Sequence, residues 1–202
     1  MQKKYTFNME GVTSKLESFS ESKRLAFGIF LLERSLPEFF QFQIDSDSVG
    51  GGELRAVLAQ CWSALETGDR GWSDFVALDA CEKIAPDSEE QSSRFTSAAI
   101  DAVDIACNML EFLKVGEVQS LVDSVTARID TVELFIQNNS TVGKGTELEE
   151  RVASHPLMQE ELRLLNEDLD LLEACVDTRH AVFAVAVERT GQRDYWQLRL
   201  KR

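Results

Sequence analysis

Between Ala98 and Leu113 the chain carries only four polar residues: Asp101, Asp104, Asn108 and Glu111. At 100° per residue these four fall within an arc of about 80°. The rest of the cylinder is apolar: Ala98, Ala99, Ile100, Ala102, Val103, Ile105, Ala106, Cys107, Met109, Leu110, Phe112 and Leu113. A helix that apolar has to be buried on most sides. The acids interrupt its apolar run, so it does not suit a bilayer. Thr96–Val115 therefore reads as the central helix of an all-α domain, and the remaining segments read as its cover.

Those segments have the right periods. Residues 20–36 hold Leu25-Ala26-Phe27-Gly28-Ile29-Phe30-Leu31-Leu32, a second helix apolar all round. Gly28 there allows close helix approach at a propensity cost of ~1 kcal/mol. Pro37 is expected to break or restart that helix, with Phe39, Phe40 and Phe42 in a short aromatic turn. Residues 53–67 repeat Leu54, Val57, Leu58, Cys61, Trp62 and Leu65 at helical spacing, ended by Gly68. A shorter helix is expected from Ser73 to Ala85. Val118, Val122, Val125, Ile129, Val132 and Ile136 alternate by four and three, a coiled-coil-like seam. A short turn around Leu148 precedes His155-Pro156, and Pro156 suits the first position of a helix. Met158, Leu162, Leu165, Leu169, Leu172, Val176, Phe183 and Val187 then predict one long helix over residues 156–190, with His180 in the same seam.

The sum is a single-domain bundle of about seven helices over residues 16–190. An extended N-terminal arm (1–15), where Tyr5, Phe7 and Met9 alternate, precedes it, and a basic, aromatic tail (191–202) follows.

The net charge is −14, and residues 86–180 alone carry 20 acids against 7 bases. Such a surface repels nucleic acid and anionic membranes. The four cations after Gly191 are too few to reverse that. The four cysteines lie among apolar residues with no CxxC pair, which fits free thiols in a reducing compartment. MQKKYTFNME lacks the apolar core of a signal peptide, so a cytoplasmic location is expected.

Few residues suggest chemistry. Asp101, Asp104 and Glu111 stand one turn apart, a spacing that suits a divalent cation or an acid/base pair. No Glu-x-x-His motif accompanies them, so the simpler expectation is a polar stripe where the helix meets water. Glu33-Arg34 is expected to form a partly buried ion pair that reaches this stripe. Asp177-x-x-His180 offers two metal ligands without a third. Residues 45–52, DSDSVGGG, match neither phosphate-loop pattern. No cofactor is expected.

Leu16-Glu17-Ser18, Glu33-Arg34-x-x-Pro37 with aromatics after it, Ala99-Ile100-Asp101-Ala102 and His155-Pro156-Leu157 together carry a resemblance. The chain resembles the YjaG-like family of bacterial proteins, domain of unknown function family 416, over roughly residues 15–190. The resemblance implies an all-helical cytoplasmic protein with no established activity and no catalytic residues to transfer. The tail after Gly191 departs from the family pattern.

The leading expectation is a non-enzymatic protein that works through contacts of its acidic surface with a basic protein partner. One alternative is a metal-dependent hydrolase using Asp101, Asp104, Glu111 and Glu33. Another is an acidic, antitoxin-like or nucleic-acid-mimic protein. The seams also allow closure between two copies, as a homodimer.

Overall fold

The computed structural model describes residues 5–70, 78–89, 93–139 and 146–191. Among the described residues there are helices and no strands: α1 (Met9–Ser18), α2 (Glu21–Ser46), α3 (Gly51–Thr67), α4 (Leu78–Glu82), α5 (Thr96–Val115), α6 (Val118–Asn138), α7 (Thr146–Ser154), α8 (Pro156–Ala174) and α9 (Arg179–Gly191). No helix among them is long and apolar enough to cross a membrane.

The expected central helix is α5, with the expected bounds. Ala99, Ala102, Ile105, Ala106 and Met109 have no exposed surface. Its end is set by Gly116, whose φ of 82° is left-handed and whose N–H reaches back to the Phe112 carbonyl at 2.8 Å. The chain then turns straight into α6. Thr131, late in α6, reaches Asp101, early in α5, so the two helices run antiparallel. The α6 seam is buried from Val122 to Ile136, with Val118 packed at its edge.

The centre is shared with α2, which packs on α3, α5, α6, α8 and α9. Pro37 does not break this helix, contrary to expectation. It sits inside α2, which continues to Ser46. An interior proline costs ~3 kcal/mol in an isolated helix. Here Leu36, Phe39 and Phe42 around it are buried, and their burial, at ~1.5–3 kcal/mol each, outweighs that cost. The aromatic residues expected in a turn are thus helical core.

Two further expectations change. Of the N-terminal arm, only residues 5–8 among the described residues precede the first helix, and Asn8 is extended. Asn8 then caps α1 by accepting from the Gly11 N–H at 3.1 Å. The long C-terminal helix is two helices. It stops at Cys175, whose backbone is extended, and restarts after Thr178, whose hydroxyl accepts from the Ala181 N–H at 3.4 Å. The break shifts the register. Val176 (69% exposed) and Val187 (47%) leave the core, and Val182 and Ala186 enter it. Pro156 is the first residue of α8, and His155 caps it by accepting from the Leu157 N–H at Nδ1. The helix expected from Ser73 to Ala85 is described from Leu78 and ends at Glu82 as α4, three residues short, and residues 71–77 and the tail 192–202 lie outside the described residues.

Gly28 is a close-approach position as expected. A Cβ there would lie 2.2 Å from Met109 Sδ and 2.9 Å from Leu121 Cδ2. Both neighbours are fully buried, so neither has free space to move into. Gly28→Ala is therefore expected to destabilise the fold by ~1–3 kcal/mol, the usual cost of overpacking, despite alanine's better helix propensity. In urea unfolding, Gly28→Ala combined with Met109→Ala should lose less than the two single losses added. Strict additivity would show that the contact does not limit the packing.

Candidate functional site

Charged side chains occur in two settings. In the first, α5 and α6 leave a shallow groove of about 370 Å3 between their outer faces. Asp101, Asp104 and Asn108 from α5 meet Asp123, Thr126 and Asp130 from α6 there, with Cys107 and Ala127. Antiparallel helices bring these acids together, because each helix repeats its carboxylates on the face beside the other. None of the four aspartates has an ion-pair partner among the described residues. Asp104, Asp123 and Asp130 are exposed, and Asp101 is half-buried. Asp101 accepts from the Thr131 hydroxyl at 2.6 Å. Burial pushes its carboxyl up, the Thr131 bond opposes this, and the charges of Asp104 and Asp130 add to it, leaving it near pKa 6. Burial raises Asp104 as well.

In the second setting, charges are closed inside the bundle. Arg34 and Glu38 of α2, Arg128 of α6, and Glu161 and Asp168 of α8 are each no more than 5% exposed. Arg34 bonds Asp168 and lies 3.2 Å from Glu161. Arg128 bonds Glu161 at 3.1 Å and Glu38 at 3.5 Å. Arg189 of α9, partly exposed, bonds Asp168 at 2.6 Å. Three guanidinium groups thus face three carboxylates, and the cluster is neutral. Burial pushes Glu161 up, but Arg128 and Arg34 outweigh it and hold the carboxyl below its usual range. Glu38 has only Arg128 and stays raised by burial. At the rim, Arg163 and Arg189 share Glu167.

The other sequence candidates lie elsewhere. Glu111 is exposed beyond the groove. Arg34 is buried and ion-paired, as expected, but with α8 rather than with Glu33 or the α5 stripe. Consecutive helical residues point about 100° apart, so Glu33 faces a different side, towards α3. Its carboxylate accepts from the Trp62 indole at 3.2 Å, and burial raises it against that bond. Glu33 therefore does not join Asp101 and Asp104. Asp177 lies in the break before α9 and accepts from Ser20, and His180 is exposed at the start of α9, outside the core seam. No group of three His, Cys, Asp or Glu among the described residues is arranged to hold a metal ion.

Sequence reasoning missed Asp123 and Asp130 because their significance comes from α5 lying beside them. Glu161 and Asp168 are among the 20 acids of residues 86–180, which the charge count treats as surface. They are seven residues apart, each directly before a seam leucine, Leu162 or Leu169. That repeat was the available signal.

The raised Asp101 carboxyl sets a pH dependence. The folded chain holds this proton more tightly than the unfolded chain does, whose value is near 3.8. Below that value both states are protonated and folding incurs no cost. As pH rises from that value towards 6, the unfolded chain ionises while the folded chain still holds the proton, so stability falls until the folded carboxyl ionises too. Asp101→Asn lacks this titration. Urea unfolding at about pH 4 and about pH 7.5 should show Asp101→Asn gaining stability relative to the parent at the higher pH. An unchanged difference would refute the shifted carboxyl.

The family model described as Protein of unknown function (DUF416) matches residues 11–187. The fold resembles the crystal structure of a DUF416 family protein from Shewanella baltica, with a TM-score of 0.79 and 21% identity over 89% of this chain and 93% of that one. No curated protein matches the chain. With most of its length covered by that family model and its bundle shared with that structure, the chain belongs to the DUF416 family, whose function is unknown.

Proposed function

We propose that this is a non-enzymatic, cytoplasmic bacterial protein that docks a basic segment of a partner protein in the α5–α6 groove. The observation that carries this reading is the contrast between the two charge settings. The buried carboxylates are matched by arginines of the same chain. The four groove aspartates have no such match among the described residues, and one is held against its preference to ionise. A lysine or arginine placed there relieves that mutual repulsion, a gain that does not depend on the partner's apolar surface. The net charge of −14 adds long-range attraction for a basic partner and speeds encounter. The bacterial setting rests on the Shewanella relative.

An arginine-rich peptide with a fluorescent label is a direct probe. Asp101, Asp104, Asp123 and Asp130 changed together to Asn should weaken its binding at least about tenfold at low salt, where exposed charges are least screened. A control with Glu10, Glu147, Glu149 and Glu150 changed to Gln removes the same four charges, on other exposed surfaces, so both variants carry −10. It should lose less than about threefold. Equal losses in the two variants would mean attraction by net charge alone, and the groove would not be the docking site.

A further inference from the structure

The register of α9 places Phe183 and Val187 one turn apart on the side that meets α3. From α3, Ala59, Trp62 and Glu66 face them at helical spacing, and α2, which packs on both helices, adds Glu33. The groove they line is about 580 Å3, a size that small organic ligands occupy. It shares no lining residue with the α5–α6 groove.

The groove combines an aromatic corner with uncompensated negative charge. The rings of Trp62 and Phe183 stand at 89° with their centroids 5.9 Å apart, and both side chains are half-buried rather than closed in the core. The inner corner of a perpendicular pair offers a π face from each ring. The Trp62 indole N–H donates to Glu33 Oε1 at 3.2 Å, which fixes that carboxylate beside the corner. Neither Glu33, half-buried, nor Glu66, exposed, has an ion-pair partner among the described residues. Burial raises the Glu33 carboxyl against the Trp62 bond, so a cation held beside it would offset a cost that the chain itself leaves standing.

We propose that the α3–α9 groove binds an alkylated ammonium ion, a small organic cation whose charged head sits in the corner of Trp62 and Phe183 beside Glu33. The ring faces attract the head through their quadrupoles, and Trp offers the strongest such face. Glu33 supplies the counter-charge, and Ala59 and Val187 meet the alkyl groups. The walls select against other cations. A metal ion needs oxygen ligands on several sides, whereas these walls are largely carbon. A primary ammonium is strongly hydrated and needs acceptors for three N–H groups, and one Glu33 oxygen already accepts from the indole. An alkylated head has few or no N–H groups to satisfy and meets apolar walls with apolar surface.

The test titrates the full chain with choline and follows saturation transfer from the protein's aromatic protons to the choline methyl groups. The paired probe is 3,3-dimethyl-1-butanol, which has the same shape with carbon in place of the charged nitrogen. Sodium chloride holds both titrations at one ionic strength, so general attraction to the net charge of −14 is screened equally. The expected result is saturable choline binding, at least about tenfold tighter than that of the neutral alcohol. Glu33→Gln keeps an acceptor for the indole and removes the charge, and should weaken choline at least about fivefold. Trp62→Phe keeps an apolar ring with a weaker π face, and should weaken it about threefold or more. Glu10→Gln removes the same charge from an exposed site on α1 and should change it less than about twofold. The comparison of the two probes uses the unaltered chain, so a poorly folded variant would not shield the proposal. Choline that fails to saturate, an alcohol that binds as tightly, or equal losses in Glu33→Gln and Glu10→Gln would overturn it.

Discussion

Three arginines and three carboxylates held between α2, α6, α8 and α9 are the constraint on which the arrangement of those helices depends. Arg34, Arg128 and Arg189 face Glu38, Glu161 and Asp168, and five of the six are nearly closed to solvent. Taking each such ion out of water costs several kcal/mol even after relaxation. Apolar burial alone therefore favours no arrangement in which one of these side chains is trapped without its partner. The heptad faces of α6 and α8 permit several registers, since one seam leucine resembles the next. A register shifted by one turn would separate Arg128 from Glu161 and Arg34 from Asp168. The cluster thus contributes specificity more than stability, in the way a buried polar residue fixes the register of a coiled coil.

The same logic separates the protein's inner acids from its outer ones. Glu161 is surrounded by enough positive charge to be held below its usual range despite burial. Asp101 has no paired arginine to offset its partial burial, and that burial, with smaller contributions from Asp104 and Asp130, pushes it up to about 6. Burial raises both carboxyls, and the directions differ because paired arginines outweigh it at Glu161 and not at Asp101. The fold has neutralised the acids in its core and left those of the α5–α6 groove among their own kind.

How much of this could be read from the sequence depended on whether one helix held the information. α5 and α6 could be, because an almost wholly apolar cylinder and a strict seam each speak for a helix and for its buried face. Gly28 could be, because a glycine inside a continuous apolar helix signals a close neighbour. Pro37 was misleading, since the local rule against interior proline was overridden by the buried aromatics after it. The break at Cys175 was hidden because Val176 and His180 each fall four residues on and Phe183 three beyond, so the count runs through the break, while the signal for it is the local cap at Thr178. Glu161 and Asp168 were hidden for a different reason. An acid beside a seam looks the same whether an arginine waits across the interface or water does. The groove required two helices at once, and nothing in α5 alone points to Asp123 or Asp130.

The central claim is that the buried cluster is a mutually dependent set that orders the bundle. A double-mutant cycle on Arg34 and Asp168 tests it most directly, because the residues left behind keep other partners: Glu161 retains Arg128, and Arg189 retains Glu167. Arg34→Met and Asp168→Leu should each lower the unfolding free energy by ~2–3 kcal/mol, since each removes one of two buried partners: Asp168 is left with Arg189 alone, and Arg34 with Glu161 alone. The double variant, which removes both charges, should lose at least ~2 kcal/mol less than the two single losses added. Additive losses would contradict the account, because they would mean that the two side chains contribute independently and that their pairing does not order the helices.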